Sequence, residues 1–168
     1  SASLVRTEYG RALEPKAGSF SIVLREPMGV AGVIAPWNSP VVLMIRSLAP
    51  ALAAGTTTVV KLPSQTAQVN ALLSKIFSEV KSLPKGVINV VTESGSAASK
   101  LLIESPDVPV ISFTGSSGTG EAISRVGADN IKRFGLELGG KTPMIVFNDA
   151  NLDDALPKLE KSLTVFAG

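Results

Sequence analysis

The sequence holds 168 residues, 45% of them hydrophobic and 18% charged, with a formal net charge of +2. That composition fits one domain or a piece of a larger one with a sizeable core, excludes a disordered chain, and is too weakly basic to indicate nucleic acid. Histidine and cysteine are absent, which excludes a Ser-His-Asp triad, a Cys-His pair, a Cys/His zinc site and a disulfide framework within these residues, and leaves carboxylates, lysines, hydroxyls and backbone dipoles for any chemistry.

Along the chain, residues 1–11 carry Arg6, Glu8 and Arg11 with no apolar run, so no secretory signal is expected and a cytoplasmic location is. Residues 19–25 (SFSIVLR) alternate as an exposed strand, half of a hairpin. Residues 28–45 are uncharged, but Pro36, Asn38, Ser39 and Pro40 interrupt them, so a short buried strand at 30–35 and a helix at 41–54 are expected rather than a membrane span. Pro50 predicts a kink or step in that helix. Strands follow at 56–61 (TTTVVK) and 87–91 (VINVV), with a helix at 65–81 between them whose apolar residues Val69, Leu72, Leu73, Ile76, Phe77 and Val80 share one face. A short helix at 96–104, a strand at 108–114, a glycine-rich turn at 115–120, a helix at 121–128, strands at 132–138 and 144–147, and a helix at 151–166 complete the pattern.

Strands and helices alternate, and several strands are continuously apolar. This predicts an α/β fold, a Rossmann-like parallel sheet flanked by helices. Ligands of such sheets bind beyond the carboxyl ends of the strands, which directs attention to residues 36–38, 61–64, Gly95, 115–116 and 137–140.

Each of those places offers chemistry. Gly115-Ser116-Ser117-Gly118-Thr119-Gly120 opens a helix; its amides and the Ser116 hydroxyl suit a phosphate, or form a tight turn with a serine cap. Lys61 ends an apolar strand, placed for ribose hydroxyls or phosphate, or simply solvated. Glu137 stands between leucines ahead of a Gly-Gly pair; burial there is expected to desolvate it and raise its pKa toward the range of a general base, unless it forms a surface pair with Lys141. Asn38, between two prolines, offers an amide donor to an oxyanion, or makes an Asx turn.

Taken in order, PWNSP (36–40), ALAAG (51–55), VVKLPS (59–64), FTGSSGTG (113–120) and LELGGKTP (136–143) resemble the NAD(P)-binding domain of the aldehyde dehydrogenase superfamily over nearly the whole chain. The resemblance implies NAD(P)-dependent oxidation of a small-molecule aldehyde to a carboxylic acid through a cysteine thioester, with no nucleic-acid or membrane partner. It assigns Asn38 to the oxyanion, Glu137 to general-base activation of nucleophile and water, Lys61 to the adenosine ribose, Gly115 and Ser116 to the pyrophosphate, Gly139 to the reacting groups, and Ile34 and Trp37 to the cofactor cleft. Gly95, past a strand end, joins the cofactor-binding positions. Ser64 replaces a glutamate that excludes NADP in strict NAD enzymes, so NADP joins NAD as a cofactor; the bland alternative is that Ser64 caps the following helix. Arg46-Ser47 replace an aromatic residue and a lysine, as in some members acting on aromatic aldehydes.

The resemblance further implies that the chain stops short of the catalytic cysteine, near Phe166-Ala167-Gly168, and is inactive alone. It makes residues 1–25 the remnant of an oligomerisation hairpin, residues 26–168 the cofactor domain, and the complete enzyme a homodimer or homotetramer. The alternatives are a non-catalytic nucleotide-binding module and a coenzyme-A-acylating semialdehyde dehydrogenase; Glu137 counts against the second.

Overall fold

Strands buried on both faces need an apolar residue at nearly every position, and VAGVI supplies that for the centre of a sheet, with TTVVKLP, alternately half-buried and buried, beside it. The computed structural model describes residues 3–164, the Leu4 side chain excepted. Residues up to Leu138 form one compact unit and those from Gly139 onward a second. The first unit opens with β1 (Arg11–Leu13) and β2 (Ser21–Val23), an antiparallel hairpin exposed on both strands. Next come β3 (Val30–Ile34), α1 (Pro40–Ala53), β4 (Thr57–Pro63), α2 (Ala67–Glu79), β5 (Ile88–Glu93), α3 (Ala97–Glu104), β6 (Val110–Thr114), α4 (Ser117–Ala128) and β7 (Arg133–Glu137). Strands β3 to β7 form one sheet in the order β5-β4-β3-β6-β7, every neighbour pair parallel.

Because side chains alternate between faces along a strand, each strand feeds two cores. Val33 and Ala35, Val60 and Leu62 pack with Met44 and Leu48 of α1 and Leu73 of α2. Ile34, Ile111 and Phe113 pack on the other face with Leu102 and Ile103 of α3 and Ile123 of α4. Each of the larger of these side chains contributes about 1.5–3 kcal/mol by leaving water. Gly32 lets the second layer approach: a Cβ there would meet the Ile111 side chain at 2.8 Å and Val108 at 3.3 Å.

Several sequence expectations change. Helix α1 includes Pro50, where a kink or step is expected, and runs on to Ala53. Helix α4 starts at Ser117 rather than 121, because the Ser116 side chain caps it there and draws two glycines into the first turns. Residues 144–147 pair with no strand among the described residues; an apolar run becomes a strand only where a partner takes up its backbone groups. In the second unit α5 (Leu152–Thr164) opens with the Asn151 side chain accepting the Asp153 N–H at 3.0 Å, and Asp153 and Asp154 complement the positive end of the helix. The expected residues 165 and 166 of that helix, and the expected approach to a cysteine at 166–168, lie outside the described residues. No helix among the described residues is long and apolar enough to cross a membrane.

Between α4 and β7 the chain turns through Ile131, whose φ of 50° places a β-branched residue in the left-handed region. Its side chain is 90% exposed, so no packing compensates the strain locally. Left-handed backbone costs a residue with a Cβ about 1–2 kcal/mol. Ile131→Gly is therefore expected to raise stability by about 1 kcal/mol, after allowance for the looser unfolded chain. The urea midpoint of the two proteins checks this.

Candidate functional site

Parallel pairing brings all five carboxyl ends to one edge of the sheet, and the strand order reverses between β3 and β6. Loops diverge at such a reversal and leave a crevice. Lys61 lies near the end of β4 and Glu137 at the end of β7, while Asn38, Gly95 and the Gly115-Ser116 pair follow β3, β5 and β6. The edge thus gathers residues up to a hundred positions apart.

On the α3–α4 face the edge opens into a cleft of about 380 Å³. Ile34 and Phe113 come from the sheet, Ser99 and Ile103 from α3, and Ile123 and Val126 from α4. Lys61 and Gly95 line it too. Strand parity puts Lys61 there: Val60 and Leu62 point to the opposite core. The Lys61 ammonium has no hydrogen-bond or ion-pair partner among the described residues.

The glycine-rich turn reaches the cleft through Thr119. Ser116 is the N-cap of α4: its Oγ accepts the Thr119 N–H at 3.3 Å and lies 2.8 Å from Thr119 Oγ1. The expected serine cap is therefore present, and it orders the helix terminus whose remaining first-turn amides have no intrahelical acceptor. The glycines differ in use. A Cβ on Gly120 would meet Leu138 at 2.5 Å, so that glycine seats α4 against the end of β7. A Cβ on Gly118 would meet nothing within 4 Å, so the backbone there is open to close approach.

The opposite face carries a different chemistry. Glu137 Oε1 accepts a hydrogen bond from Arg46 Nη2 of α1 at 2.8 Å. Beside it Ser47 Oγ lies 2.8 Å from Ser112 Oγ of β6. The desolvation expected of Glu137 is not found: its side chain is 55% exposed and that of Arg46 59%. The cause is position, because β7 is the edge strand and its residues alternate between half-buried and exposed.

The remaining expected positions are dispersed. Trp37 and Asn38 are exposed past β3, outside the cleft lining. The Asn38 side chain makes no hydrogen bond among the described residues, so the alternative Asx turn does not form. Ser64 begins a short 3-10 turn, Ser64–Thr66, and does not cap α2, whose N-cap is Thr66. Gly139 is exposed in the second unit. Sequence reasoning missed Asn70. Buried in α2, it donates through Nδ2 to Pro63 O at 2.8 Å and Thr92 Oγ1 at 3.2 Å, and accepts from Thr66 Oγ1 at 2.9 Å. It thereby joins the end of β4 to the end of β5. The legible signal was an amide on the apolar side of an amphipathic helix. Ser99 and Ile103, also missed, are four apart on α3 and so share a face.

A family model described as the aldehyde dehydrogenase family matches residues 1–168. The chain is 44% identical over 146 residues to the human 2-aminomuconic semialdehyde dehydrogenase, covering 86% of this chain and 30% of that protein. A solved E. coli NADP-dependent enzyme superimposes with a TM-score of 0.91 at 40% identity, over 99% of this chain and 34% of the other. A solved NAD-dependent aldehyde dehydrogenase from Sinorhizobium meliloti gives 0.86 at 38%, over 92% and 31%. The chain thus spans about a third of the length of these relatives.

The two polar assemblies should differ sharply in stability. Asn70→Ala removes the link between the ends of β4 and β5 and leaves the Thr92 hydroxyl without the Asn70 amide, while Thr66 Oγ1 still donates to Pro63 O at 3.2 Å; the loss should cost about 1–3 kcal/mol. Arg46→Ala removes an ion pair more than half exposed and should cost no more than about 1 kcal/mol. Urea unfolding of both variants tests the order; equal losses would contradict it.

Proposed function

The chain belongs to the aldehyde dehydrogenase family, and from that premise we propose that it forms the NAD(P)-binding part of an enzyme that oxidises a small-molecule aldehyde to its carboxylic acid. The observation that carries this reading is the Lys61 ammonium, without a partner among the described residues, in a mostly apolar cleft at the carboxyl edge, with Glu137 on the same edge. A cation without a carboxylate partner beside apolar walls suits a ligand with hydroxyl or phosphate oxygens and a flat apolar ring.

The residues present fit a dinucleotide. Ile34, Phe113, Ile123 and Val126 would pack against its base, and Lys61 would donate to ribose hydroxyls. The open backbone at Gly118 and the ordered helix terminus behind Gly115 and Ser116 would hold pyrophosphate oxygens. Gly95 leaves space at the rim, and Trp37 lies at the reversal between β3 and β6. When bound, the nicotinamide supplies the hydride acceptor. The similar solved structures include an NADP-dependent enzyme and an NAD-dependent aldehyde dehydrogenase, and we propose that Ser64, which brings no negative charge, lets this chain take either.

For the chemistry, Glu137 would accept a proton from the nucleophile or from water, and the Asn38 amide would donate to the oxyanion. Arg46 now engages the Glu137 carboxylate; a pair this exposed is weakly held, so the carboxylate is free to exchange partners. The chain has no cysteine, and we place the thiol nucleophile outside these residues, as the greater length of the relatives allows. The β1–β2 hairpin is our candidate for the subunit contact of a homodimer or homotetramer.

Trp37 is the chain's single tryptophan, which makes it a reporter. Its emission is expected to fall on titration with NADH or NADPH. Lys61→Met should raise the dissociation constant by roughly tenfold or more, since a hydrogen bond from a charged donor contributes about 1.5–3 kcal/mol. No quenching with either nucleotide would overturn the binding role.

In the full-length enzyme Glu137→Gln should lower turnover by about 10²–10⁴-fold with little change in cofactor KM. Ser64→Glu should raise the KM for NADP by about tenfold, because a carboxylate replaces a neutral group beside a 2′-phosphate, while NAD is unaffected. An unchanged ratio of kcat/KM for the two cofactors would remove Ser64 from that role.

A further inference from the structure

The wall of the cleft formed by α3 is eight residues long, too short to hold a helical shape without help from its surroundings. Its two ends are each tied by a side chain of the sign that the helix dipole favours. At the N-terminus, the Glu93 carboxylate accepts the Ala98 N–H at 3.1 and 3.2 Å. At the C-terminus, the Lys132 ammonium donates to Ser105 O and, at 2.6 Å, to Val108 O. Asn130 Nδ2 donates to Glu104 O at 3.1 Å. Both donors come from the turn that follows α4, the other wall of the cleft.

Lys132 reaches that place at a cost. It is only 7% exposed, and burial lowers its pKa, an effect the nearby Asp107 charge partly offsets. The left-handed Ile131 turns the chain inward just before it. Its stem crosses α4 at Gly127, where a Cβ would come within 3.3 Å of the Lys132 Cδ and 2.4 Å of the Phe134 ring. A strained residue, a helical glycine and a buried cation all serve one contact, which spans the two walls of the cleft.

We propose that Lys132 is a positioning residue that clamps the C-terminal end of α3 to that of α4 and so sets the width of the cleft between them, an inference that rests on the cleft being the nucleotide site. Lys132 is not among the residues that line the cleft. It acts through Ser105 and Val108 on the helix that carries Ser99 and Ile103, and Asn130 adds a second tie.

The test uses the free protein first. In Lys132→Met, amide hydrogen exchange in α3 is expected to quicken at least tenfold while β3 and β4 keep their protection. The dissociation constant for 5′-AMP is expected to rise at least tenfold. Lys132→Arg keeps the charge and the donors and should stay within about threefold of the native protein in both readouts. Should Lys132→Met fail to fold, Asn130→Ala carries the same test, with α3 exchange quickened at least threefold. Unchanged α3 exchange overturns the clamp, as does faster exchange spread evenly over the sheet. A loosened α3 with unaltered 5′-AMP affinity overturns the control of cleft width. If the native protein binds no 5′-AMP, the nucleotide reading of the cleft fails, and the exchange pattern alone decides the clamp.

Discussion

Everything at the candidate site follows from one constraint, the parallel pairing of β3 with both β4 and β6. Parallel strands point the same way, so their ends share an edge. Reversal of the strand order about β3 then leaves the loops after β3 and β6 with no common crossover between them. Alternation along the strands does the rest. Lys61 faces α3 and α4, whereas Glu137 faces α1 and Arg46. The proposed binding and catalytic groups are thus separated by the thickness of the sheet and joined only over its edge. A ligand serving both must cross at the reversal, where Asn38 and Gly115 lie.

The polar interactions around this edge divide by exposure. The Arg46–Glu137 pair, more than half in water, holds the carboxylate loosely. The Asn70 amide and the Lys132 ammonium are buried and bonded mostly to backbone carbonyls and hydroxyls, where loss of a partner is expensive. The exposed carboxylate is one proposed to react, and the buried groups are those that hold the strand ends and helices in place. Glycines complete the division: Gly32, Gly120 and Gly127 admit neighbours that a Cβ would displace, whereas Gly118 leaves open space.

Much of this was legible in the residues. The apolar run at 30–35 and the β-branched run at 56–61 announce strands, and the 3.6 period of 69–80 announces α2, because these patterns follow from local geometry. The run of motifs from PWNSP to LELGGKTP pointed to the family. The location of Asn38, Lys61, Gly115 and Glu137 at strand ends also follows from local pattern, since a residue just past an apolar run in an α/β chain lies at the carboxyl edge.

What a linear pattern omits is which strand neighbours which. The burial expected for Glu137 assumed a strand covered on both sides, and only the sheet order shows β7 at the edge with its carboxylate in water beside Arg46. The run at 144–147 looks as strand-like as 30–34, yet a strand exists only where another chain segment completes its hydrogen bonds. Asn70 and Lys132 have partners 4 to 27 residues away, most of them brought near by packing. The sequence by itself determined most of the elements, their faces and the identity of the edge groups, because those depend on neighbours a few bonds away. The tertiary structure alone decided exposure, pairing and the clamping of α3, because those depend on which distant segments share a surface.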